Sequence, residues 1–206
     1  MTTVSAAEGY ALWAETFDTT PSPVIALEER ALRPWIPGRS PRRAVDVGCG
    51  TGRWTTRLNA IGFDASTAML AVGRGTRAVA LATALPVRSA SADFILCALT
   101  LGHLHDPAAA MREFARILEP GGTLIVTDFH PAAGRRTFRS GGQLYELENY
   151  PYALDDLRTE GLALRDSFEA TFGEPEREVF RRAGRPELFD AASQVPAVLL
   201  ARWTRV

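Results

Sequence analysis

The stretch that decides the fold is Val45-Asp46-Val47-Gly48-Cys49-Gly50-Thr51-Gly52. The apolar run Ala44–Val47 predicts a buried strand, the glycines at every second position predict a tight turn, and Arg53–Ala60 predicts a short helix. Glycine lets the backbone turn sharply and lets a ligand lie directly on the main chain. The helix N-terminus that follows presents free N–H groups. We therefore predict a ligand site at this turn; a glycine-rich turn without a ligand is the alternative.

Strands and helices alternate on the C-terminal side of this turn. Short strands are predicted at 61–63, 79–82, 93–99 and 123–127, and helices at 66–73 and 107–118. This alternation predicts βαβ units in an α/β, doubly wound fold, with a parallel sheet covered on both faces.

The two flanks of this region have different patterns. Residues 5–32 predict two helices divided by Pro21 and Pro23. After residue 130 we expect a hairpin within Phe138–Tyr150, with Gly141-Gly142 at its turn. A short helix at 154–161, strands at 162–171 and 196–205, and a helix around 176–183 complete the chain. We expect one domain over 1–206, made of a helical cap (1–41), a core (42–130) and an insert with the final strands (131–206).

Composition excludes several chemistries. All 23 basic residues are Arg, so there is no lysine for a Schiff base, for pyridoxal phosphate or for a P-loop. A net charge of −1 argues against a nucleic-acid partner, and no apolar stretch of membrane-spanning length is present. The N-terminus does not read as a signal peptide, and the only cysteines, Cys49 and Cys97, lie in apolar stretches. These features favour a reduced, cytoplasmic setting in which both thiols are packing groups.

The spacing of the glycines favours one kind of ligand over another. A dinucleotide fingerprint is G-x-G-x-x-G, whereas this turn is G-x-G-x-G with Asp46 two residues before its first glycine. A carboxylate at the mouth of the site opposes a pyrophosphate and suits a cation such as an ammonium or a sulfonium.

Four motifs in order carry a family resemblance. They are Asp46-Val-Gly-Cys-Gly-Thr-Gly; Gly62-Phe63-Asp64-Ala65-Ser66 with Met69-Leu70; Ala84-Leu85-Pro86; and Leu118-Glu119-Pro120-Gly121-Gly122. Over about residues 8–130 the chain closely resembles the class I S-adenosylmethionine-dependent methyltransferases, in particular the small-molecule branch that includes quinone-biosynthesis enzymes.

This resemblance implies a fold and an activity. The fold is a Rossmann-like, seven-stranded, mostly parallel sheet with strand order 3-2-1-4-5-7-6 and an antiparallel last strand, capped by the N-terminal helices. The activity is transfer of a methyl group from S-adenosylmethionine to an O, N or C atom of a small molecule, which leaves S-adenosylhomocysteine.

The resemblance also implies the cofactor-binding residues. Gly48, Cys49 and Gly50 would lie under the amino-acid moiety and ribose, with Asp46 near the amino group. Asp64 would accept both ribose hydroxyls in a bidentate hydrogen bond, although an ordinary acid at a helix N-terminus is the alternative. The remaining cofactor contacts would come from Ala65, Met69, Ala82, Thr83 and Ala98.

Two features depart from the family pattern. Only 18 positions separate Asp46 from Asp64, so the first helix must be short. Many relatives carry an Asp that contacts the adenine amino group, and here that position is Leu81. Adenine would then depend on backbone groups around Ala82 and Thr83.

Histidines are the candidate catalytic groups. Methyl transfer from a sulfonium needs mainly alignment, so a general base is optional. His103 and His130 follow the fourth and fifth strands, whose ends face the cofactor side. The alternative for His103 is to cap or pack the next helix, and His130 is also a candidate for the substrate pocket. His103-Leu104-His105 has no third ligand at recognisable spacing, so we predict no metal.

The candidate acceptor pocket draws on both flanks. Tyr10, Trp13 and Phe17 form an aromatic stripe that is either a helix packed on the sheet or a lid over the cofactor. Tyr145 lies in the insert where substrate-shaping elements often lie in relatives, and a solvated hairpin is the alternative. The pairs Arg135-Arg136 and Arg181-Arg182 are interpreted most simply as solvated surface charges, with an acidic substrate as the alternative.

Three other functions stay open. A binding module that holds the cofactor without transferring methyl is the main alternative, motivated by Leu81 and the short first helix. A nicotinamide-dependent Rossmann enzyme is opposed by the glycine spacing, and a nucleic-acid methyltransferase by the absence of a basic cluster. The identity of the acceptor and the choice between monomer and homodimer are not determined by the sequence.

Overall fold

The computed structural model describes residues 1–206 and contains ten β-strands and seven α-helices. The strands are β1 (Thr2–Val4), β2 (Ala44–Val47), β3 (Ile61–Asp64), β4 (Arg77–Val79), β5 (Ala92–Ala98), β6 (Leu118–Phe129), β7 (Thr137–Ser140), β8 (Gln143–Leu147), β9 (Leu162–Ala170) and β10 (Val198–Arg205). The helices are α1 (Ala6–Trp13), α2 (Pro23–Leu32), α3 (Arg53–Leu58), α4 (Thr67–Val72), α5 (Pro107–Ile117), α6 (Glu174–Arg182) and α7 (Phe189–Ala192).

Seven of the strands form the main sheet, in the order β4-β3-β2-β5-β6-β10-β9. The strands from β2 to β6 pair in parallel, and β10 is antiparallel to both of its neighbours. Counted along this sheet, the order is the predicted 3-2-1-4-5-7-6, which is confirmed. The order reverses between β2 and β5, so the carboxyl ends of these two strands open a crevice where ligands bind in such sheets.

Alternate side chains of β5 belong to two apolar clusters on opposite faces of the main sheet. Ile95 and Cys97 pack with Phe114 of α5. Phe94 and Leu96 pack in the other cluster, with residues of α2, α3 and α6. Both faces are therefore covered, and the prediction of a doubly wound sheet is confirmed.

The first helix after the glycine turn is as short as the motif spacing predicted. α3 is six residues long and ends at Asn59, which adopts a left-handed conformation with φ +50°. Its N-cap, Gly52, is also left-handed, with φ +88°. A residue in the left-handed conformation therefore limits α3 at each end.

The third strand of the main sheet lies earlier than predicted, at Arg77–Val79 rather than 79–82. Parallel pairing with β3 fixes this position, because Asp64 lies opposite Val79. Beyond Val79 the chain turns, and the Ala84 N–H donates to the Leu81 carbonyl at 3.0 Å. Residues 81–83 therefore form a loop rather than the end of a strand. Similarly, the helix expected at 154–161 is a single 3-10 turn, Leu154–Leu157.

The predicted hairpin is confirmed, but it is part of a second sheet that the sequence did not reveal. β7 pairs antiparallel with β8 across the turn at Gly141-Gly142, and β8 pairs in parallel with β1. We call these three strands the cap sheet. β1 is three residues long, too short for an alternating pattern to mark it.

Helix α1 packs on the cap sheet rather than on the main sheet. Trp13 forms a small buried cluster with Phe138 of β7 and Leu147 of β8. A Cβ atom at Gly9 would lie 2.2 Å from Leu147 Cδ2, so glycine permits this close approach. The N-terminal segment and the insert after β6 thus form one unit.

None of the seven helices combines the length and the apolar character needed to cross a bilayer.

Candidate functional site

The glycine turn lies at the carboxyl end of the central strand β2. Gly48 and Gly50 have φ values of +69° and +53°, which disfavour any other residue. A Cβ atom at position 48 would lie 2.0 Å from Thr100 Oγ1, so no side chain fits there. The backbone N–H groups of Gly48 and Cys49 both donate to the Phe63 carbonyl, at 2.7 and 3.1 Å. The turn is therefore held against the end of β3.

Asp64 ends β3 and faces this turn. One carboxylate oxygen accepts from the Gly50 N–H and the other from the Ser66 N–H, each at 2.7 Å. Burial raises the pKa of this carboxyl, and the backbone hydrogen bonds oppose the rise. Each carboxylate oxygen can accept a further hydrogen bond. The group can therefore receive two adjacent hydroxyls, as a ribose presents them.

Asp46 is a second acid at this end of the sheet and is 2% exposed. Its Oδ2 accepts a hydrogen bond from the Thr55 hydroxyl at 2.6 Å. Burial raises the pKa of Asp46 to about 6, against the opposing effects of Thr55 and the Arg53 cation. A ligand cation beside this carboxylate would be stabilised by an acid that is otherwise poorly solvated.

A cavity of about 870 Å³ extends from the glycine turn towards the cap sheet. A volume of this size is typical of a small-molecule site. All ten of the residues predicted to bind the cofactor line it: Asp46, Gly48, Cys49, Gly50, Asp64, Ala65, Met69, Ala82, Thr83 and Ala98. We call this part of the wall the cofactor end, after the residues that are predicted to bind there. The groups at this end are the carboxylates of Asp46 and Asp64 and the backbone of the glycine turn. Two negatively charged groups beside an open backbone fit the cationic S-adenosylmethionine.

Leu81 lines the cofactor end at the position where many relatives carry Asp. Its side chain is 59% exposed, an unusual degree for a large apolar residue with a cavity beside it. It therefore presents an apolar surface next to Ala82 and Thr83, where adenine was expected to lie.

The two cysteines are free and buried, consistent with the prediction that they are packing groups. Cys97 lies opposite Val47 in the pairing of β5 with β2. Burial raises the pKa of the Cys49 thiol to about 12 and that of Cys97 as well. Both groups are therefore protonated thiols, which are poor nucleophiles.

The segment after α1 closes the cofactor end from the other side. The Thr51 hydroxyl donates to Asp18 Oδ1 at 2.7 Å, which ties the N-terminal segment to the glycine turn. Deeper in the fold, Glu28 of α2 accepts from Arg53 at 2.8 Å and from the Thr127 hydroxyl at 3.2 Å. These bonds hold the N-terminal helices over the ends of β2 and β6.

His103 ends the 3-10 turn Leu101–His103 that follows β5, in the part of the cavity wall that we call the acceptor end. Its Nδ1 donates to the Glu148 carbonyl at 3.2 Å, which makes Nε2 an acceptor in the assigned tautomer. The Tyr10 hydroxyl and Arg136 Nη1 both donate to this Nε2, at 2.9 and 2.8 Å. Burial and the Arg136 cation lower the pKa of His103 to about 3. The imidazole is therefore neutral at physiological pH.

Arg136 is the residue that the sequence analysis misjudged. It was interpreted as a solvated surface charge, but it is 4% exposed and forms a buried ion pair with Asp128. Its guanidinium also lies over the Phe129 ring, 3.9 Å from the ring centre. Asp128 in turn accepts from the Gly102 N–H at 2.7 Å. Asp128 follows a predicted strand directly, which was the one available sign of its position.

The aromatic stripe of the N-terminal segment packs on the cap sheet, whereas its function as a lid stays a prediction. Trp13 stacks on Phe138 with ring centres 4.9 Å apart, and Phe17 meets Trp13 edge-on at 4.8 Å. Tyr10, Trp13 and Phe17 also line the cavity, so the packed helix is part of its wall.

Two residues predicted for the acceptor pocket lie outside the cavity wall. The side chain of Tyr145 stacks on Phe138 at 5.3 Å, and its hydroxyl donates to Gln143 Oε1. His130 accepts from the Ala132 N–H through Nδ1, at 3.1 Å, and its Nε2 lies 3.4 Å from Glu169. These contacts stabilise a turn after β6, which explains why a residue at this strand end is not in the pocket.

Comparisons with known proteins agree with this geometry. Residues 45–126 match the family model described as a methyltransferase domain. Over 110 residues the chain is 34% identical to a demethylmenaquinone methyltransferase from Renibacterium salmoninarum, an alignment that covers 48% of this chain and 45% of that protein. The chain spans less than half the length of the curated relatives it matches.

Solved structures show the same fold. An S-adenosylmethionine-dependent methyltransferase from Mesorhizobium loti superposes with a TM-score of 0.68 at 23% identity, covering 89% of this chain and all of that one. Geranyl diphosphate C-methyltransferase from Streptomyces coelicolor, solved with S-adenosyl-L-homocysteine, gives a TM-score of 0.62 at 17% identity, covering 86% of this chain and 78% of that one.

The fold is that of the class I methyltransferases, and the predicted resemblance to S-adenosylmethionine-dependent methyltransferases is confirmed. Within the chain, residues 45–126 match the model of the methyltransferase-domain family.

Proposed function

We propose that this protein is an enzyme that transfers the methyl group of S-adenosylmethionine to an O, N or C atom of a small molecule. The observation that carries the proposal is one cavity with two chemically different ends. The glycine turn, Asp46 and Asp64 form the cofactor end, and Tyr10 and His103 form the acceptor end. In this proposal the chain acts as one domain, with cap (1–41), core (42–130) and insert (131–206).

At the cofactor end, each residue is given a binding role. Asp64 accepts the ribose hydroxyls through its two carboxylate oxygens, and Asp46 stabilises the amino group of the cofactor. Leu81 and the backbone of Ala82 and Thr83 contact adenine. The bound cofactor supplies a methyl group on a sulfonium, which needs no further activation as a leaving group.

At the acceptor end, His103 binds the acceptor rather than removing its proton. A pKa of about 3 makes the imidazole a poor base at neutral pH. Its Nε2 can instead accept a hydrogen bond from an acceptor O–H or N–H that takes the place of the Tyr10 hydroxyl, and the proton that methylation releases would pass to water as the product leaves the cavity. The methyl acceptor is thereby oriented while α1 and the cap sheet exclude water. This proposal gives His130 and Tyr145 no contact with the acceptor.

The test is calorimetric titration with S-adenosylmethionine, S-adenosylhomocysteine and NADH, followed by a turnover assay on a panel of small-molecule acceptors. We expect micromolar binding of the first two ligands, no binding of NADH, and methyl transfer to at least one acceptor. Cofactor binding without transfer to any acceptor would favour the binding module. Binding of NADH alone would overturn the proposal.

A further inference from the structure

Charged residues are distributed unequally along the cavity. Asp46 and Asp64, the only acidic residues that line it, both belong to the cofactor end, where the one lining arginine, Arg53, is paired with the buried Glu28 at 2.8 Å. The wall formed by the segment after β6 and by the end of α6 instead carries arginines, namely Arg135, Arg136, Arg139, Arg182 and Arg185. The acceptor end is therefore positively charged, in a protein whose net charge is close to zero.

Two of these arginines are neutralised by carboxylates. Arg136 pairs with the buried Asp128, and Arg135 pairs with Glu146 at 3.2 Å. The other three, Arg139, Arg182 and Arg185, have no carboxylate within 4.0 Å. Arg185 Nη1 donates to the Thr137 hydroxyl at 3.0 Å, a neutral partner that leaves its charge uncompensated.

The arginine next to this group provides a contrast. Arg181 lies beside Arg182 on α6, but it pairs with Glu178 and is not part of the cavity wall. Arginines of this chain that face solvent are commonly paired in this way, as Arg177 is with Glu174 at 3.0 Å. Of the two neighbours Arg181 and Arg182, only Arg182 lines the cavity, and only Arg182 has no carboxylate within 4.0 Å.

A second observation lies deeper in the same wall. Arg136 uses Nη1 to contact His103 and Nη2 to contact Asp128, but its buried Nε has no hydrogen-bond partner. Buried guanidinium N–H groups are nearly always satisfied, so this unpaired N–H leaves the charge of Arg136 incompletely compensated beside the cavity.

The rest of the acceptor end is apolar. Phe172, Phe180, Leu188 and Ala192 line the cavity beside Arg182 and Arg185. A ligand that fits this surface has an apolar body next to its charged group.

We propose that the acceptor carries a carboxylate or a phosphate on an apolar body, and that Arg182 and Arg185 bind this anionic group. The inference rests on the proposed function, because it names the class of acceptor for that site. Guanidinium groups bind both anions through paired N–H donors. The arginines select and orient the acceptor, while the cofactor end holds the opposite charge.

The test is calorimetric titration of three eight-carbon probes, octanoate, octyl phosphate and octanamide, into protein saturated with S-adenosylhomocysteine. We expect at least one of the two anions to bind about tenfold or more tightly than the neutral amide, and comparison of the two identifies the preferred anion. The Arg182→Gln/Arg185→Gln variant should lose this preference. The matched control, Arg181→Gln, should keep it. Added salt should reduce the preference, since the arginines are partly exposed.

Several results would overturn the inference. These are equal affinity for anion and amide, no binding of either anion at millimolar concentration, or a preference that survives in the double variant. A preference seen only without S-adenosylhomocysteine would assign the arginines to the carboxylate of the cofactor instead. Failure to bind S-adenosylhomocysteine is a separate result that refutes the proposed function. If the double variant unfolds, the single Arg182→Gln change at an exposed position provides the same comparison.

Discussion

Replacing Asp64 by alanine tests the cofactor end most directly. In the structure each carboxylate oxygen of Asp64 accepts one backbone N–H, from Gly50 or Ser66, at 2.7 Å. One further hydrogen bond to each oxygen remains for the ribose. The Asp64→Ala change therefore removes two charge-assisted hydrogen bonds to the cofactor and leaves the glycine turn in place.

The expected loss follows from those two bonds. A hydrogen bond to a charged group contributes about 1.5–3 kcal/mol, and the lower value suits a carboxylate at a cavity that is open to solvent. Two such bonds give about 3 kcal/mol, which weakens binding of S-adenosylhomocysteine on the order of a hundredfold. Calorimetric titration of the wild type and the variant measures this ratio.

The stability of the protein should change much less than the affinity. Burial raises the pKa of Asp64, so its ionised form is poorly solvated in the folded state without ligand. Removal of that charge offsets the loss of the two backbone hydrogen bonds, and we expect a change within about 1 kcal/mol in urea denaturation. The control, Glu178→Ala, removes an exposed carboxylate that does not line the cavity, and both quantities should stay at wild-type values.

A change in affinity below threefold for Asp64→Ala, with the fold intact, would refute the assignment of the ribose to this carboxylate. The map of the cofactor end would then be wrong, because the other cofactor residues were placed relative to Asp64.

Three further predictions concern buried charges. Burial raises the pKa of Asp46 from 3.8 to about 6, so ionisation of this carboxyl opposes folding. The free energy of unfolding should therefore fall by on the order of 2–3 kcal/mol as the pH rises from about 4 to 6. In urea titrations at these pH values, the Asp46→Asn variant should not show this fall. Arg136→Met leaves Asp128 buried without its cation and should lower the free energy of unfolding by about 3–5 kcal/mol. Adding Asp128→Asn in a double variant should restore part of this stability. The control, Arg135→Met at an exposed position, should lower the free energy of unfolding by less than about 0.5 kcal/mol. Nitrogen NMR shifts of His103 should show a neutral ring throughout pH 5–8, and its pKa should rise in Arg136→Met; a titration in that range in the wild type would contradict the assigned network.

The residues of the cofactor end could be predicted because they belong to short motifs that are close together in the sequence. The glycine turn needs left-handed backbone at Gly48 and Gly50, and only glycine adopts it freely. Asp64 ends a strand, and parallel strands bring their carboxyl ends to one edge of the sheet. Residues a few positions apart along the chain thus suffice to place this end of the site.

The acceptor end depends on contacts between distant segments. Tyr10 and His103 share a hydrogen bond although 93 positions separate them. Arg135 and Arg136 are identical neighbours in the sequence, yet one is exposed and the other buried. Only the pairing of β7 with β8 and the position of Asp128 determine which of the two faces inward. No periodicity in the sequence predicts which of the two arginines is buried.

The parallel pairing of β1 with β8 has a consequence for engineering acceptor preference. Because residues 2–4 and 143–147 share one sheet, the N-terminal segment and the hairpin, which both contribute residues to the cavity wall, are structurally coupled. A chimera that imports the hairpin from another enzyme without its own N-terminal strand would mismatch that sheet. Successful grafts should exchange both segments together, and directed evolution should mutate them as one library.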